Sequence, residues 1–302
     1  MYDIMIVGGG PAGLTAAVYA LRAGKKVLVI EKYGFGGQIA FSPKVENIPG
    51  VKAIGGTEFA DQLTDQVMAL GADVELENVT GVEADGPIKK VFTEEGSVYQ
   101  GQALILAVGV KHRMLGLPGE EELVGKGLSV CAVCDGAFYA GQEVAMIGGG
   151  NSALQEAMLL SEICSKVTIV QNLADFTGER KLADALMEKK NVQVYFNTVV
   201  TAYDSADGML TGLQLRNEET GEESSLQVDG AFLAVGLKPE NEAFAQLVEL
   251  NQKGYFDVGE DCCAHTPGVF VAGDCRSKTI RQVVTAASDG AIAAMAAIRY
   301  LD

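Results

Sequence analysis

Ile4-Met5-Ile6-Val7-Gly8-Gly9-Gly10-Pro11-Ala12-Gly13 is an apolar run that ends in a glycine turn, and its reading decides the fold. The apolar run is a buried strand, from Tyr2 to Val7. The turn carrying Gly8, Gly10 and Gly13 brings bare backbone N–H groups and a helix N-terminus up to a pyrophosphate. Pro11, with Ala12 after it, suits the first helical turn, where a missing N–H is no loss. A second strand follows, Val27 to Ile30, and Glu31 stands at its end, 21 residues after Gly10. A carboxylate there can take both hydroxyls of an adenosine ribose. The alternative reading of the same stretch is a tight strand–helix turn with no ligand.

The motif occurs twice. Val144-Ala145-Met146-Ile147-Gly148-Gly149-Gly150-Asn151-Ser152-Ala153 repeats it 140 residues later, and its second strand is Val167 to Val170. Two βαβ starts of the dinucleotide-binding type mean two nucleotide-binding-type α/β domains. A second pair of twins, Leu104-Ile105-Leu106-Ala107-Val108-Gly109 and Ala231-Phe232-Leu233-Ala234-Val235-Gly236, reads as buried strands ending at glycines. These twins mark where the chain crosses between domains. The expected division is 1–112 with 239–302 for the first domain and 113–238 for a second inserted into it. Within the first lie an amphipathic helix (Thr57 to Leu70), a β-rich stretch with turns at Asp85-Gly86 and Glu95-Gly96, and a closing helix from Ile280 to Tyr300.

The 302 residues suit two domains, and 48% apolar residues suffice for proper cores. The formal charge of −17 repels nucleic-acid phosphates and anionic lipid, so neither is expected as a partner. No apolar run approaches the roughly 20 residues that span a bilayer, and no signal sequence opens the chain, which leaves the cytoplasm as the expected location. Six cysteines in such a compartment argue against a structural disulfide framework.

Further motifs carry chemistry. Gly36-Gly37-Gln38 and Glu46-Asn47-Ile48-Pro49-Gly50 are glycine-rich and polar, fit to line a flavin's polar edge. Val269-Phe270-Val271-Ala272-Gly273-Asp274 is a buried strand ending in Gly-Asp, where the aspartate can bind a ribityl or pyrophosphate group or simply cap a helix. Arg281-Gln282 opens the following helix. Cys131-Ala132-Val133-Cys134-Asp135-Gly136 precedes the second βαβ unit. Its spacing lets two sulfurs close a redox-active ring or share a metal. A four-ligand zinc site needs a second pair or nearby histidines, and the chain offers only the adjacent Cys262-Cys263 with His112 and His265. Redox chemistry without a metal is therefore preferred, with Asp135 as the shuttle for the proton that thiol–disulfide exchange requires. Cys164 reads as a core thiol, Cys275 beside Asp274 as a residue that packs near the flavin, and Cys262-Cys263 as two ordinary thiols in preference to a second relay or a vicinal disulfide.

In this order, GGGPAG, GGQ with VENIPG, CAVCD, GGGNSA, and GVFVAGD followed by RQ resemble the low-molecular-weight thioredoxin reductases along essentially the whole chain. The resemblance implies two Rossmann-like three-layer ββα domains, a homodimer, FAD on the first domain and a Cys131–Cys134 redox disulfide on the second. Cys134 would lie nearer the flavin, and a rotation of the second domain would present the dithiol to thioredoxin. By the same resemblance, Gly8, Gly10, Gly13, Glu31, Gln38, Asn47, Asp274 and Gln282 bind FAD. Pro11, Ala12, Gly37, Gly109, Gly273 and Arg281 join them as candidates from the motifs above.

The chain departs from the family in one place. The usual members hold the 2′-phosphate of NADPH with a His-Arg-Arg triplet after the second strand of the inserted domain and a further arginine four residues on. Here those positions are Gln171-Asn172-Leu173 and Thr177. Charge-assisted hydrogen bonds are worth roughly 1.5–3 kcal/mol each, so losing the arginines weakens NADPH binding by orders of magnitude. Arg180 and Lys181 sit a turn away, at a helix start. Gln171 can bond a ribose hydroxyl, which leaves NADH open. The sequence thus resembles the subgroup reduced by ferredoxin; a related subgroup uses a deazaflavin. Ferredoxins are acidic, so the net charge opposes global steering and calls for a local basic patch, with Lys111, His112 and Arg113, or Arg276, Lys278 and Arg281, as candidates. The rival readings are a flavin dithiol oxidase and a redox-sensing flavoprotein without turnover.

Overall fold

The computed structural model describes residues 1–41, 45 and 47–302, and every side chain among these except at 41, 133 and 134. The chain falls into two compact units, Met1–Lys111 with Pro239–Asp302, and His112–Lys238.

The first unit runs β1 (Tyr2–Val7), α1 (Pro11–Arg22), β2 (Val27–Glu31), α2 (Gly56–Ala69), β3 (Asp73–Leu76), β4 (Val79–Glu83), β5 (Lys89–Thr93) and β6 (Val98–Leu106). After β7 (Lys111–His112), the second unit continues with α3 (Glu120–Leu123), β8 (Leu128–Ser129), α4 (Ala132–Asp135), β9 (Glu143–Ile147), α5 (Asn151–Ile163) and β10 (Lys166–Val170). It is completed by α6 (Arg180–Met187), β11 (Val192–Tyr195), β12 (Thr198–Ala206), β13 (Met209–Asn217), β14 (Glu223–Gln227) and β15 (Gly230–Leu233). Strand β16 (Leu237–Lys238) leads back to β17 (Val269–Val271) and α7 (Val283–Leu301).

Both units have one plan. In the first, β3, β2, β1 and β6 lie side by side in parallel, and β17 joins the C-terminal half of β6. The N-terminal half of β6 instead pairs antiparallel with β5, which carries β4. Because successive strand residues point to opposite faces, β1 serves two cores. Ile4 and Ile6 pack under α1 and α7, whereas Met5 and Val7 pack against Val82 and Val91 of the antiparallel layer. In the second unit the parallel sheet is β11-β10-β9-β15-β8, and β12-β13-β14 form the antiparallel layer. Val144 and Met146 face α5, while Ala145 and Ile147 face Leu213 and Leu215. Each unit is therefore a three-layer ββα, Rossmann-like domain.

Helices α1 and α7 approach closely because their contact is made of small residues. A Cβ on Gly290 would fall 2.1 Å from the Ala12 carbonyl oxygen, so no side chain fits there. Helix α7 starts at Val283, three residues later than the sequence suggests. Gln282 is its extended N-cap, and a capping box ties its side chain and backbone to Thr285. Among the described residues, no helix is long and apolar enough to cross a membrane.

Candidate functional site

The end of β1, the loop after β2 and the turn after β17 enclose a cavity of about 570 Å³ in the first unit. Gly10, Pro11, Ala12, Glu31, Gly37, Gln38, Gly109, Gly273, Asp274, Arg281 and Gln282 all line it. Residues from six separate stretches of sequence thus converge on one cavity.

Gly8 and Gly13 stand off the cavity and act by close packing. A Cβ on Gly8, at φ +109°, would lie 2.2 Å from the Ala107 carbonyl oxygen, and one on Gly13 would lie 1.9 Å from the Gly8 carbonyl oxygen. They let β1, β6 and α1 meet tightly enough to leave the amides at Gly10 and beyond facing the cavity. Glu31 Oε2 accepts the Gly9 N–H at 2.7 Å, and its Oε1 accepts the Lys32 and Tyr33 N–H groups at 2.8 and 3.1 Å. Those bonds hold the carboxylate at the mouth of the turn. The loop folds back, with the Gly36 N–H on the Gly9 carbonyl oxygen at 2.7 Å, and brings Gly37 and Gln38 to the cavity wall.

Asn47 is exposed and does not line the cavity; its Nδ2 donates to Gln282 Oε1 at 2.8 Å. Glu46 of the same motif lies outside the described residues. The Arg281 guanidinium lies over the Tyr255 ring, 4.2 Å from its centroid, and donates to the Asp274 carbonyl oxygen. Asp274 itself is the group left wanting. Its Oδ1 is buried without a hydrogen-bond partner, and burial pushes its carboxyl above the usual range although Lys278 and Arg281 pull it down.

Asp289 of α7, which sequence reasoning passed over, holds the turn that presents Asp274. Its Oδ2 accepts the Gly273 N–H at 3.1 Å, Arg276 Nε at 2.9 Å and Lys278 Nζ at 2.8 Å, and its Oδ1 accepts Arg276 Nη2 at 2.9 Å. Burial raises the Asp289 carboxyl, but Arg276 and Lys278 outweigh it and hold the group below the ordinary value. This corrects one expectation. Arg276 and Lys278 are buried ion-pair partners, and Lys111 is bound to Glu240 at 3.0 Å, so they do not form a free basic patch. His112 is pushed down by burial.

In the second unit, Cys131 is disulfide-bonded; the side chain of Cys134 lies outside the described residues. Ser129, buried at the end of β8, organises the motif. Its Oγ accepts the Cys131 N–H at 3.1 Å and donates to Asp135 Oδ2 at 2.6 Å. The single turn α4 closes with the Asp135 N–H on the Cys131 carbonyl oxygen, and the Ala132 N–H donates to Glu156 Oε2 of α5 at 3.0 Å. Two residues beyond the motif's glycine, Phe138 is 78% exposed, an unusual place for a phenyl ring.

A second cavity, of about 750 Å³, lies at the repeated glycine turn. Gln171 lines it but is 3% exposed, and its Nε2 donates to the Asp175 carbonyl oxygen at 3.0 Å. That amide lies against Gly149, where an added Cβ would come within 2.4 Å of it. Asn172, Leu173 and Thr177 are the other lining positions of the departure, and among the described lining residues Arg113 is the only lysine or arginine. Arg180 and Lys181 do not line it, and Arg180 is almost wholly exposed. The loop is tied to the turn by the Thr177 and Gly178 N–H groups on the Gly149 carbonyl oxygen and the Glu179 N–H on Asn151 Oδ1 at 2.6 Å.

The remaining cysteines, Cys164, Cys262, Cys263 and Cys275, are free. Cys262 is buried at φ +59° with its thiol pushed up to about 12, while Cys263 is exposed, so the adjacent pair faces opposite ways. Among the described residues, no group of three or more His, Cys, Asp and Glu is placed to hold a metal.

Residues 2–290 match the family model of the pyridine nucleotide-disulphide oxidoreductases. The bifunctional thioredoxin reductase/thioredoxin of Mycobacterium leprae is 41% identical over 303 residues, covering 100% of this chain and 66% of that protein. The thioredoxin reductase of Mycolicibacterium smegmatis is 40% identical, over 100% of this chain and 97% of the relative. The crystal structure of Lactococcus lactis thioredoxin reductase matches with a TM-score of 0.90 at 34% identity, covering 100% of this chain and 99% of that one. FAD is the cofactor of these proteins, and the first cavity fits it, with bare amides at a helix start, a carboxylate at the strand end and an unpartnered buried oxygen on Asp274. The chain is a flavoprotein of the pyridine nucleotide-disulphide oxidoreductases and belongs to the low-molecular-weight thioredoxin reductase family.

Proposed function

We propose that the chain is a thioredoxin reductase in which electrons reach FAD from a ferredoxin rather than from NADPH, pass to a Cys131–Cys134 disulfide, and leave to the disulfide of thioredoxin. FAD, when bound, accepts electrons singly or in pairs and passes a pair to a neighbouring disulfide. The observation that carries the donor assignment is the second cavity. At the positions where the family binds a 2′-phosphate stand Gln171, Asn172, Leu173 and Thr177, and Gln171 is turned inward onto Asp175. Its amide is thereby taken up inside the protein, which also disfavours NADH. Cys164, Cys262, Cys263 and Cys275 are free thiols, which supports Cys134 as the partner of Cys131.

Reduction of the disulfide takes two electrons and releases a thiolate that needs a proton. Asp135 is the proton carrier in this reading. Ser129 holds its Oδ2 at 2.6 Å and the Cys131 amide at 3.1 Å, so the acid and the cysteine share one anchor. The resulting dithiol attacks a substrate disulfide by thiol–disulfide exchange. Exposed Phe138 beside the motif supports a protein as substrate, since it offers an apolar contact to a partner surface. The family resemblance adds a homodimer.

The test is anaerobic bleaching of the bound flavin by NADPH, NADH, reduced ferredoxin and a reduced deazaflavin in parallel, followed by thioredoxin reduction. Reduced ferredoxin is expected to bleach the flavin and support turnover, and Cys131→Ser to abolish turnover while the protein stays yellow. Rapid bleaching by micromolar NADPH would overturn the donor; full turnover by the Cys131→Ser variant would overturn the disulfide relay.

A further inference from the structure

Glu156 is a carboxylate that the reaction outlined above does not use. It sits on α5, lines the second cavity, and its Oε2 accepts the N–H of Ala132, the residue directly after Cys131. Ala132 is 1% exposed and is the first residue of α4. Its N–H is one of the helix-start donors with no partner inside the helix, so Glu156 satisfies an amide directly adjacent in sequence to Cys131. Helix-start amides favour a thiolate at the N-terminal cysteine of such a turn, and an added negative charge there opposes it. A carboxylate bound to that amide therefore works against ionisation of Cys131.

We propose that Glu156 is a positioning residue that sets the acidity of the Cys131 thiol through the Ala132 amide, and that it makes the redox turn sensitive to what occupies or protonates the second cavity. Burial raises the Glu156 carboxyl and the Ala132 amide partly offsets this. The other titratable groups on the elements around α5 are Asp135 on α4, Tyr139 in the turn after it, Glu143 and Lys166 at the starts of β9 and β10, and Arg180, Lys181 and Asp184 on α6. Asp135 is engaged by Ser129, Glu143 pairs with Lys166, and Arg180 pairs with Asp184, which leaves Glu156 as the carboxylate bonded to the amide beside Cys131. His112 and Arg113 also line the cavity, and burial lowers His112. In neutral form Glu156 leaves Cys131 free to ionise; once charged, it holds the thiol protonated and slows attack on a substrate disulfide.

The inference rests on the redox role proposed for the Cys131 motif, but its test reads thiol chemistry alone and needs neither donor nor thioredoxin. In FAD-loaded protein carrying Cys134→Ser, the alkylation rate of Cys131 by iodoacetamide is followed against pH, with the Cys131 peptide resolved by mass spectrometry from that of exposed Cys263. Glu156→Gln keeps an oxygen for the Ala132 N–H while removing the charge. It is expected to lower the midpoint by about one pH unit, the small end of what a nearby like charge produces. The parent is expected to show a second, lower inflection from Glu156 that the variant lacks. A Glu156→Gln profile that superimposes on the parent's overturns the proposal, because a purely structural acceptor would be replaced silently by glutamine. If Glu156→Gln fails to fold, a parent profile that fits a single titration overturns it just as well.

Discussion

Asp274→Asn should stabilise the protein without its cofactor and weaken its hold on FAD. In the structure Asp274 Oδ1 is buried with no partner, and burial raises the carboxyl against the pull of Lys278 and Arg281. An unsatisfied buried polar group costs about 1–3 kcal/mol, and more when charged. Replacing the carboxylate by a neutral amide removes part of that penalty, so a gain of about 1 kcal/mol is expected for the apoprotein at neutral pH, or about 2–4 °C for a domain of this size. The sign with pH follows from linkage. Below the ordinary aspartate value the group is protonated in both states and the two proteins differ little. As pH rises through the raised folded value, the native state must ionise a carboxyl it disfavours, and the gap opens. FAD reverses the order. Its ribityl hydroxyls would donate to Oδ1, and a hydrogen bond to a charged acceptor is worth about 1.5–3 kcal/mol, so the variant should bind FAD roughly 10- to 150-fold more weakly. Thermal unfolding of the two apoproteins between pH 4 and 8, and FAD titration by quenching of flavin fluorescence, measure both arms. An apoprotein destabilised at neutral pH together with unchanged FAD affinity would refute the reasoning, because Asp274 would then be a structural residue whose free oxygen means nothing.

Two further outcomes follow from the same geometry. Asp289→Asn leaves Arg276 and Lys278 buried beside a neutral amide and should cost about 3–5 kcal/mol in denaturant unfolding at pH 7, the range for breaking a buried ion pair. Since Asp289 is held below its ordinary value, its contribution is complete above that value and is lost as pH falls through the depressed folded one, so wild type and variant should converge in acid. Asn172→Arg with Leu173→Arg and Thr177→Arg should make NADPH a usable reductant, each contact adding about tenfold or more in affinity, read as flavin bleaching under anaerobic conditions. A triple variant still inert to NADPH would put the block in the tied-down loop rather than in the missing charges.

What was legible in the sequence was whatever repeats locally. The two strand–glycine–helix starts, their second strands and the buried strands before Gly109 and Gly236 announce themselves by composition, since apolar runs and glycine punctuation are properties of neighbouring residues. The residues that organise the sites are of another kind. Asp289 lies in the middle of a long helix and reads as one more acid on a solvated face; only the packing of α7 brings it to the Gly273 N–H, 16 residues away. Glu156 is equally anonymous in α5 until α4 is laid against it, 24 residues from its partner Ala132. Ser129 was within reach, since it stands two residues before Cys131, but a serine at a strand end has many uses and its bond to Asp135 needs the turn to form. Asn47, which its motif assigns to the cofactor, donates to Gln282, a residue of the cavity lining, and that contact too needs the fold to form.

The two glycine turns show why such a fingerprint is weaker evidence for a ligand than for a packing arrangement. A Cβ on Gly8 would strike the Ala107 carbonyl oxygen at 2.2 Å, and one on Gly148 would strike the Ala234 carbonyl oxygen at 2.3 Å. Both glycines sit in the left-hand half of backbone space, at φ +109° and +128°, where a side chain is strained in any case. The demand for glycine therefore comes from the strand next door and would persist if no nucleotide ever bound. What separates the turns is the residue at the end of the second strand and the loop after it. In the first unit Glu31 fastens the turn through the Gly9 N–H and lines a cavity that holds an unpartnered Asp274 oxygen. In the second, Gln171 turns its amide to Asp175, and the loop closes on Gly149 with its own N–H groups. Beside the first turn lies a buried oxygen with no protein partner, and at the second the polar side chain at the strand end bonds within the protein. That contrast, invisible in the glycines themselves, is the physical ground for assigning the cofactor to the first unit, and it supports the proposal of a donor other than a nicotinamide for the second.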